Sequence, residues 1–310
     1  MRTAAFIAII LGAQVTLTEA RSPQDLDSIW NFSKPGETEA RFRALVPEAK
    51  GSQDQEFYLQ LLTQIARAQG LQRRFEEAHQ TLDRVQPALS SKTPVAEVRY
   101  ALERGRVMNS SKRPQEALPL FAKAFDLASA RGFDSLAVDA AHMVAIAEPD
   151  SDKQMQWNLR AASIAEKSKD QKARDWLGSL YNNMGWTYHD SGRPSEALEV
   201  FKKALAFRES KGEPTSIRVA KWSIARTYRS MKRYEEALKI QTSLEGELER
   251  VGETDGYVFE ELGELYLVTS KAELAKKYFA LAYRELSKDE WVKANDAPRL
   301  KRVKELGGVK

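Results

Sequence analysis

A motif that returns about every 40 residues constrains this 310-residue chain more than any other feature. Stacked on an Ala-Leu-like dipeptide, the segments RRFEEAHQTLDRV, KRPQEALPLFAKA, GRPSEALEVFKKA, KRYEEALKIQTSL and SKAELAKKYFALA align on Ala78, Ala117, Ala197, Ala237 and Ala275. Trp157 fills the same slot in a divergent unit between the second and third of these. Twelve residues before each anchor stands a small residue: Ala66, Gly105, Ala145, Gly185, Ala225 and Gly263. Three residues further on come Gln69, Met108, Glu148, Tyr188, Tyr228 and Tyr266. A period of this length excludes one large continuous globular core. It signals a stack of small units, each burying its apolar face only against its neighbours.

Each unit reads as two amphipathic helices joined by a polar turn. Tyr181, Met184, Gly185 and Tyr188 are spaced i, i+3, i+4, i+7, which is one face of a first helix. Asp190-Ser191-Gly192 breaks it, and Pro194 suits the opening of a second helix, where its missing N–H costs nothing. Ala197, Phe201 and Ala204 continue the apolar face. The small residues at the two register positions mark where the helices cross most closely, because a branched side chain there would overpack the crossing. The unit AHMVAIAEPDSDKQMQWNLRAASIAEK departs most: Glu148 replaces the aromatic, Pro149 cuts the first helix, and Trp157 replaces the small anchor.

The segments SLYNNMGWTYHDSGRPSEALEVFKKALAF and VFEELGELYLVTSKAELAKKYFALAY resemble the tetratricopeptide repeat. The resemblance covers about residues 57–287, with a period longer than the family's common ~34 residues. It implies an all-α fold, a right-handed α-solenoid of antiparallel helix pairs with capping helices at both ends. Residues 21–56 would form the N-terminal cap, with Pro35-Gly36 as a turn before a short helix through Arg41, Phe42 and Leu45. Residues 288–310 would form the C-terminal cap and tail, with Leu300, Val303 and Leu306 on its packed side and a basic, solvated opposite face. In this family ligands meet the inner, concave face of the first helices. Carried over by register, the peptide-binding positions are Asn182, Trp186 and His189, then Trp222, Arg226 and Arg229, with Arg106 at the second unit. Arg67 and the sixth unit's Tyr257, Glu260 and Glu264 also fall on that face. Inward arginines and tryptophans suit a protein or peptide partner with acidic and apolar side chains.

Residues 1–20 read as a signal peptide. Arg2 is followed by a mostly apolar run from Ala4 to Leu17, and Thr18-Glu19-Ala20 fits a cleavage site. The run is shorter than a membrane span and holds Gln14, so the mature chain is expected to be exported, periplasmic or secreted, without membrane insertion.

Little in the sequence points to catalysis. There is no cysteine, which removes disulfides, thiolate zinc and a cysteine nucleophile. His79, His142 and His189 lie in three different units, and no phosphate loop, dinucleotide fingerprint, nucleophile elbow or zincin helix occurs. Basic and acidic residues alternate to a net +4, which provides no stripe for nucleic acid. The expectation is a non-enzymatic adaptor without cofactor or metal. The alternative is an assembly subunit of an envelope complex acting through its convex face or caps.

Overall fold

The structure is a computed structural model that describes residues 23–310, so the expected signal peptide lies outside the described residues. Among these the chain is helical, with no strand. It divides into two compact units, one up to Ala96 and one from Glu97 to Lys310.

Among its described residues the first unit contains two 3-10 segments (Pro23–Ile29 and Gln86–Ala88) and three helices, α1 (Pro35–Gly51), α2 (Gln55–Leu71) and α3 (Phe75–Val85). Pro35-Gly36 is not a turn. Pro35 opens a 17-residue helix, where its lack of an N–H is harmless and its fixed φ favours the first turn. The segment before α1 wraps its aromatics onto the pair. Trp30 stacks on Phe32 at 4.8 Å, meets the buried Phe42 edge-on at 5.3 Å, and donates to Gln64 Oε1 at 3.0 Å. Arg67 lies over both Trp30 and Phe32. Glu39, almost fully buried, is held by Arg74 and Arg43 at 2.7 Å each and by the amide of Gln72. A buried carboxylate is tolerated only with such partners.

The second unit runs from α4 (Pro94–Ser110), which begins just before it, through α5 (Pro114–Arg131), α6 (Asp134–Ala147), α7 (Ser151–Lys167), α8 (Gln171–Asp175), α9 (Leu177–Asp190), α10 (Pro194–Lys211), α11 (Pro214–Ser230), α12 (Tyr234–Arg250), α13 (Gly256–Val268) and α14 (Ala272–Leu286). Two short helices close the chain, α15 (Glu290–Asn295) and α16 (Ala297–Leu306).

The small residues sit at helix crossings, and each is matched in volume to what it faces. A Cβ built on Gly105, Gly185 or Gly263 would come within 2.5, 2.4 or 2.9 Å of a ring atom of Phe121, Phe201 or Phe279, always sixteen residues later. Where the small residue is Ala66, Ala145 or Ala225, that later position holds Leu82, Ala161 or Gln241, all fully buried and all smaller than Phe. The divergent α6–α7 pair moves the bulk one turn back. Trp157 takes the anchor slot, meets Phe125 edge-on at 5.2 Å and carries Arg160 at 4.6 Å, while Ala161 stands where other pairs have Phe.

The aromatic register also acquires a role. A left-handed residue ends five of the six first helices seven positions after the small residue: Arg73, Lys112, Gly192, Lys232 and Ser270, with φ of 61°, 65°, 72°, 60° and 60°. The next N–H then reaches back to the aromatic position, as Arg193 does to the Tyr188 carbonyl at 2.9 Å and Arg233 to that of Tyr228 at 2.9 Å, closing a Schellman cap. The same arginines lie over those tyrosine rings at 4.6 and 4.4 Å. α6 has no such cap because Pro149 comes so soon after it.

Candidate functional site: an aromatic and charged groove on α9, α11 and α13

Three aromatic residues from successive first helices form a continuous run. Trp186 of α9 and Trp222 of α11 have ring centroids 5.9 Å apart, and Trp222 meets Tyr257 of α13 edge-on at 6.3 Å. Trp222 Nε1 donates to the Tyr257 carbonyl at 3.0 Å, which fixes the indole across the two helices. Arg299 of α16 caps the run, 4.8 Å above the Tyr257 ring. These residues line a groove of 660 Å³ together with Asp190, Arg226, Arg229, Glu261 and Glu264.

The charges of the groove are mostly paired. Arg229 makes a two-pronged contact with Glu261, at 2.5 and 3.1 Å. Arg299 does the same with Glu260, and Arg302 bonds Glu264. Arg226 is the exception. It stands 3.7 Å from Glu261 and keeps a third of its side chain exposed, so it has most capacity for an incoming carboxylate. Burial pushes the Glu261 carboxyl up to about 7, against the opposing pull of Arg229.

The sequence-derived site residues separate into two groups. Trp186, Trp222, Arg226 and Arg229 come together in the groove. His189 acts as a tie between helices: its Nε2 lies 2.8 Å from Ser230 Oγ, its Nδ1 lies 3.0 Å from Asp190, and its ring packs on Trp186. Asn182 is half-buried on α9 with no partner for its Oδ1. Arg106 is committed elsewhere, bonded to Glu103 at 2.5 Å and to Asp139. It belongs to the packing of α4 on α6 and not to the groove.

Sequence reasoning missed Arg299 and Arg302, which a basic, solvated face of the last helix left in water. The available signal was their spacing: residues three apart on α16 match Glu260 and Glu264, four apart on α13. The expected apolar side of α16 does pack, with Val303 fully buried and Leu300 and Leu306 beside it. Among the described residues no group of His, Asp or Glu is arranged to hold a metal, and no helix is long and apolar enough to cross a membrane.

Antiparallel helix pairs with tight small-residue crossings define a helical solenoid of the tetratricopeptide type. A family model described as Tetratricopeptide repeat matches residues 177–211, which is the α9–α10 pair. No curated protein matches the sequence. Among solved structures the chain is similar to the apo form of RapI, with 14% identity over 86% of this chain and 75% of that one and a TM-score of 0.68. It is also similar to NprR in complex with its cognate peptide NprX, with 15% identity over 91% and 82% and a TM-score of 0.56. A tetratricopeptide repeat protein from Parabacteroides merdae matches at 14% identity over 92% and 98%, with a TM-score of 0.54.

Proposed function

We propose that the chain is an exported, non-enzymatic adaptor that holds a segment of another protein in the α9–α11–α13 groove. The observation that carries this reading is the Trp186–Trp222–Tyr257 run, flanked by the incompletely paired Arg226. Aromatic rings bury large area at low entropic cost, and arginine pairs carboxylates in a planar fork, which is why both are frequent at binding hot spots. The partner is therefore a segment with apolar side chains to lie on the indoles and a carboxylate to meet Arg226. That NprR holds its cognate peptide on a fold of this type supports the reading.

A second reading, an assembly subunit acting through its outer face, draws on Leu267, Val268 and Leu274, which remain 39–44% exposed around the α13–α14 turn. Affinity capture from the host's envelope fraction separates the two. The parent protein is compared with Arg226→Glu and Trp222→Ala, with melting followed in parallel. Trp186 is left intact because its ring packs on the buried Phe201 at 5.1 Å. A protein retained by the parent and lost by both folded variants supports the groove. Equal retention by all three refutes it and favours the outer face.

A further inference from the structure

A second hollow, also of 660 Å³, opens where α6 stops short. Pro149 ends α6 at Ala147 without the last turn and left-handed cap of the other first helices, so the start of α7 is left uncovered. Ser151, Gln154 and Asn158 of α7 face Asn183, Trp186 and Thr187 of α9 across this space.

Asn158 is the decisive residue. At its register, one past the anchor, neighbouring pairs have Leu118, Leu198 and Leu238. Here an amide is 2% exposed, and its Oδ1 has no hydrogen-bond partner. A buried carbonyl without a donor is costly, and a leucine would remove that cost. An orphaned acceptor lining a hollow is the arrangement expected where a ligand brings the donor.

The rest of the lining narrows the ligand. Gln154 already donates its amide to the Glu148 carbonyl at 2.6 Å, and Asn183 donates to His142 Nδ1 at 3.3 Å. Burial lowers the pKa of His142, which keeps this ring neutral and able to accept. Thr187 spends its proton on the Asn183 carbonyl at 3.0 Å. Gln154 and Asn183 each keep a side-chain carbonyl oxygen and one N–H, so the lining offers acceptors and donors side by side, and its one charged residue, Asp190, has a mostly exposed side chain. A peptide backbone meets such donor–acceptor pairs only at the fixed spacing of its own N–H and C=O groups. Hydroxyl groups fit well, because each rotates to donate while its own lone pairs turn to neighbouring hydroxyls or water. The volume is within the range of about 300–1,000 Å³ usual for small-ligand sites.

We propose that this hollow binds a neutral saccharide, whose hydroxyls donate to the carbonyl oxygens of Asn158, Gln154 and Asn183 while a C–H face of the ring packs on Trp186. The site is separate from the groove reading, although Trp186 and Asp190 border both.

The test is titration of the full chain with a panel of neutral oligosaccharides of gluco, manno, galacto and N-acetylglucosamine type, read by tryptophan fluorescence and calorimetry. The parent should bind at least one of them at millimolar concentration or better. Asn158→Leu should remain folded, as leucine does at this register elsewhere, and bind that sugar about tenfold or more weakly, the loss expected for one buried hydrogen bond. Arg226→Ala should bind it as the parent does, which keeps failure of the groove reading distinguishable. Absence of binding across the panel overturns the proposal. So does saccharide binding that Asn158→Leu leaves unchanged, or an Asn158-dependent affinity found for neutral peptides but not for sugars.

Discussion

Gly185→Ala should destabilise the second unit, although alanine is the better helix former. Its Cβ would lie 2.4, 2.6 and 2.7 Å from three ring atoms of Phe201, where ordinary contact is 3.4–4 Å, so the ring must retreat by roughly 1 Å. It has no easy direction to go, being fully buried with Trp186 packed edge-on against it at 5.1 Å. Overpacking of this kind costs about 1–3 kcal/mol, and a 2.4 Å approach to a buried ring falls at the upper end of that range. Helix propensity returns about 1 kcal/mol, for a net loss of about 1–2 kcal/mol. Gly246→Ala is the control, since its Cβ meets nothing within 4 Å. That variant should gain about 0.5–1 kcal/mol by propensity alone. The assay is equilibrium urea unfolding followed by circular dichroism, with thermal melts expected to fall by roughly 2–8 °C for Gly185→Ala. Phe201→Leu should rescue Gly185→Ala by at least ~1 kcal/mol in a double-mutant cycle. If both alanine variants move stability the same way, the close-approach reasoning is wrong.

Other expectations concern buried polar groups and ion pairs. Gln241 is fully buried with neither amide atom bonded, so Gln241→Leu should stabilise by about 1–3 kcal/mol, checked by its urea midpoint. Glu261 faces Arg226 and Arg229 on α11 and has Glu260 and Glu264 on its own helix. Its folded pKa is raised from 4.5 to about 7, so its favourable term is complete below about pH 4.5 and disappears as pH rises through 7. Stability should fall across that window by up to ~3 kcal/mol, and Glu261→Gln should flatten the profile; identical profiles would refute the assignment. Arg299→Ala strands the half-buried Glu260 and should cost ~1–3 kcal/mol. Arg113→Ala, which breaks an exposed pair with Glu116, should change the urea midpoint by no more than ~0.5 kcal/mol equivalent.

What could be read from the sequence was whatever packing repeats at fixed spacing. The Gly and Ala crossings, the Ala anchors and the ending of α6 near Pro149 depend on contacts inside one helix pair, and the same residues return in each. Trp186, Trp222, Arg226 and Arg229 share a groove because the register set them on one face. Arg106 resisted that logic, because the carboxylates that claim it, Glu103 and Asp139, are visible only once α4 and α6 are packed. Arg299 and Arg302 were missed for the related reason that their partners lie 39 and 38 residues away in a different helix. Pro35-Gly36 misled because the same dipeptide serves a turn or a helix start, and only the length of the helical run after it decides.

The Arg229–Glu261 pair has a consequence for how the array assembles. Similar units stacked in a row can be built one step out of place, since each apolar face would be covered almost as well by the next unit. The register that holds Glu261 holds Gln64, Glu103, Met143, Asn183 and Ser223 in the other first helices. Stepping the α11–α12 pair onto the α9 or α6 surface would leave Arg229, mostly buried, facing Asn183 or Met143 in place of a carboxylate. An uncompensated buried charge costs about 3–5 kcal/mol, a large share of a domain's stability. The buried ion pair therefore acts as a serial number: it lets α11 accept α13 and refuse α6 and α9.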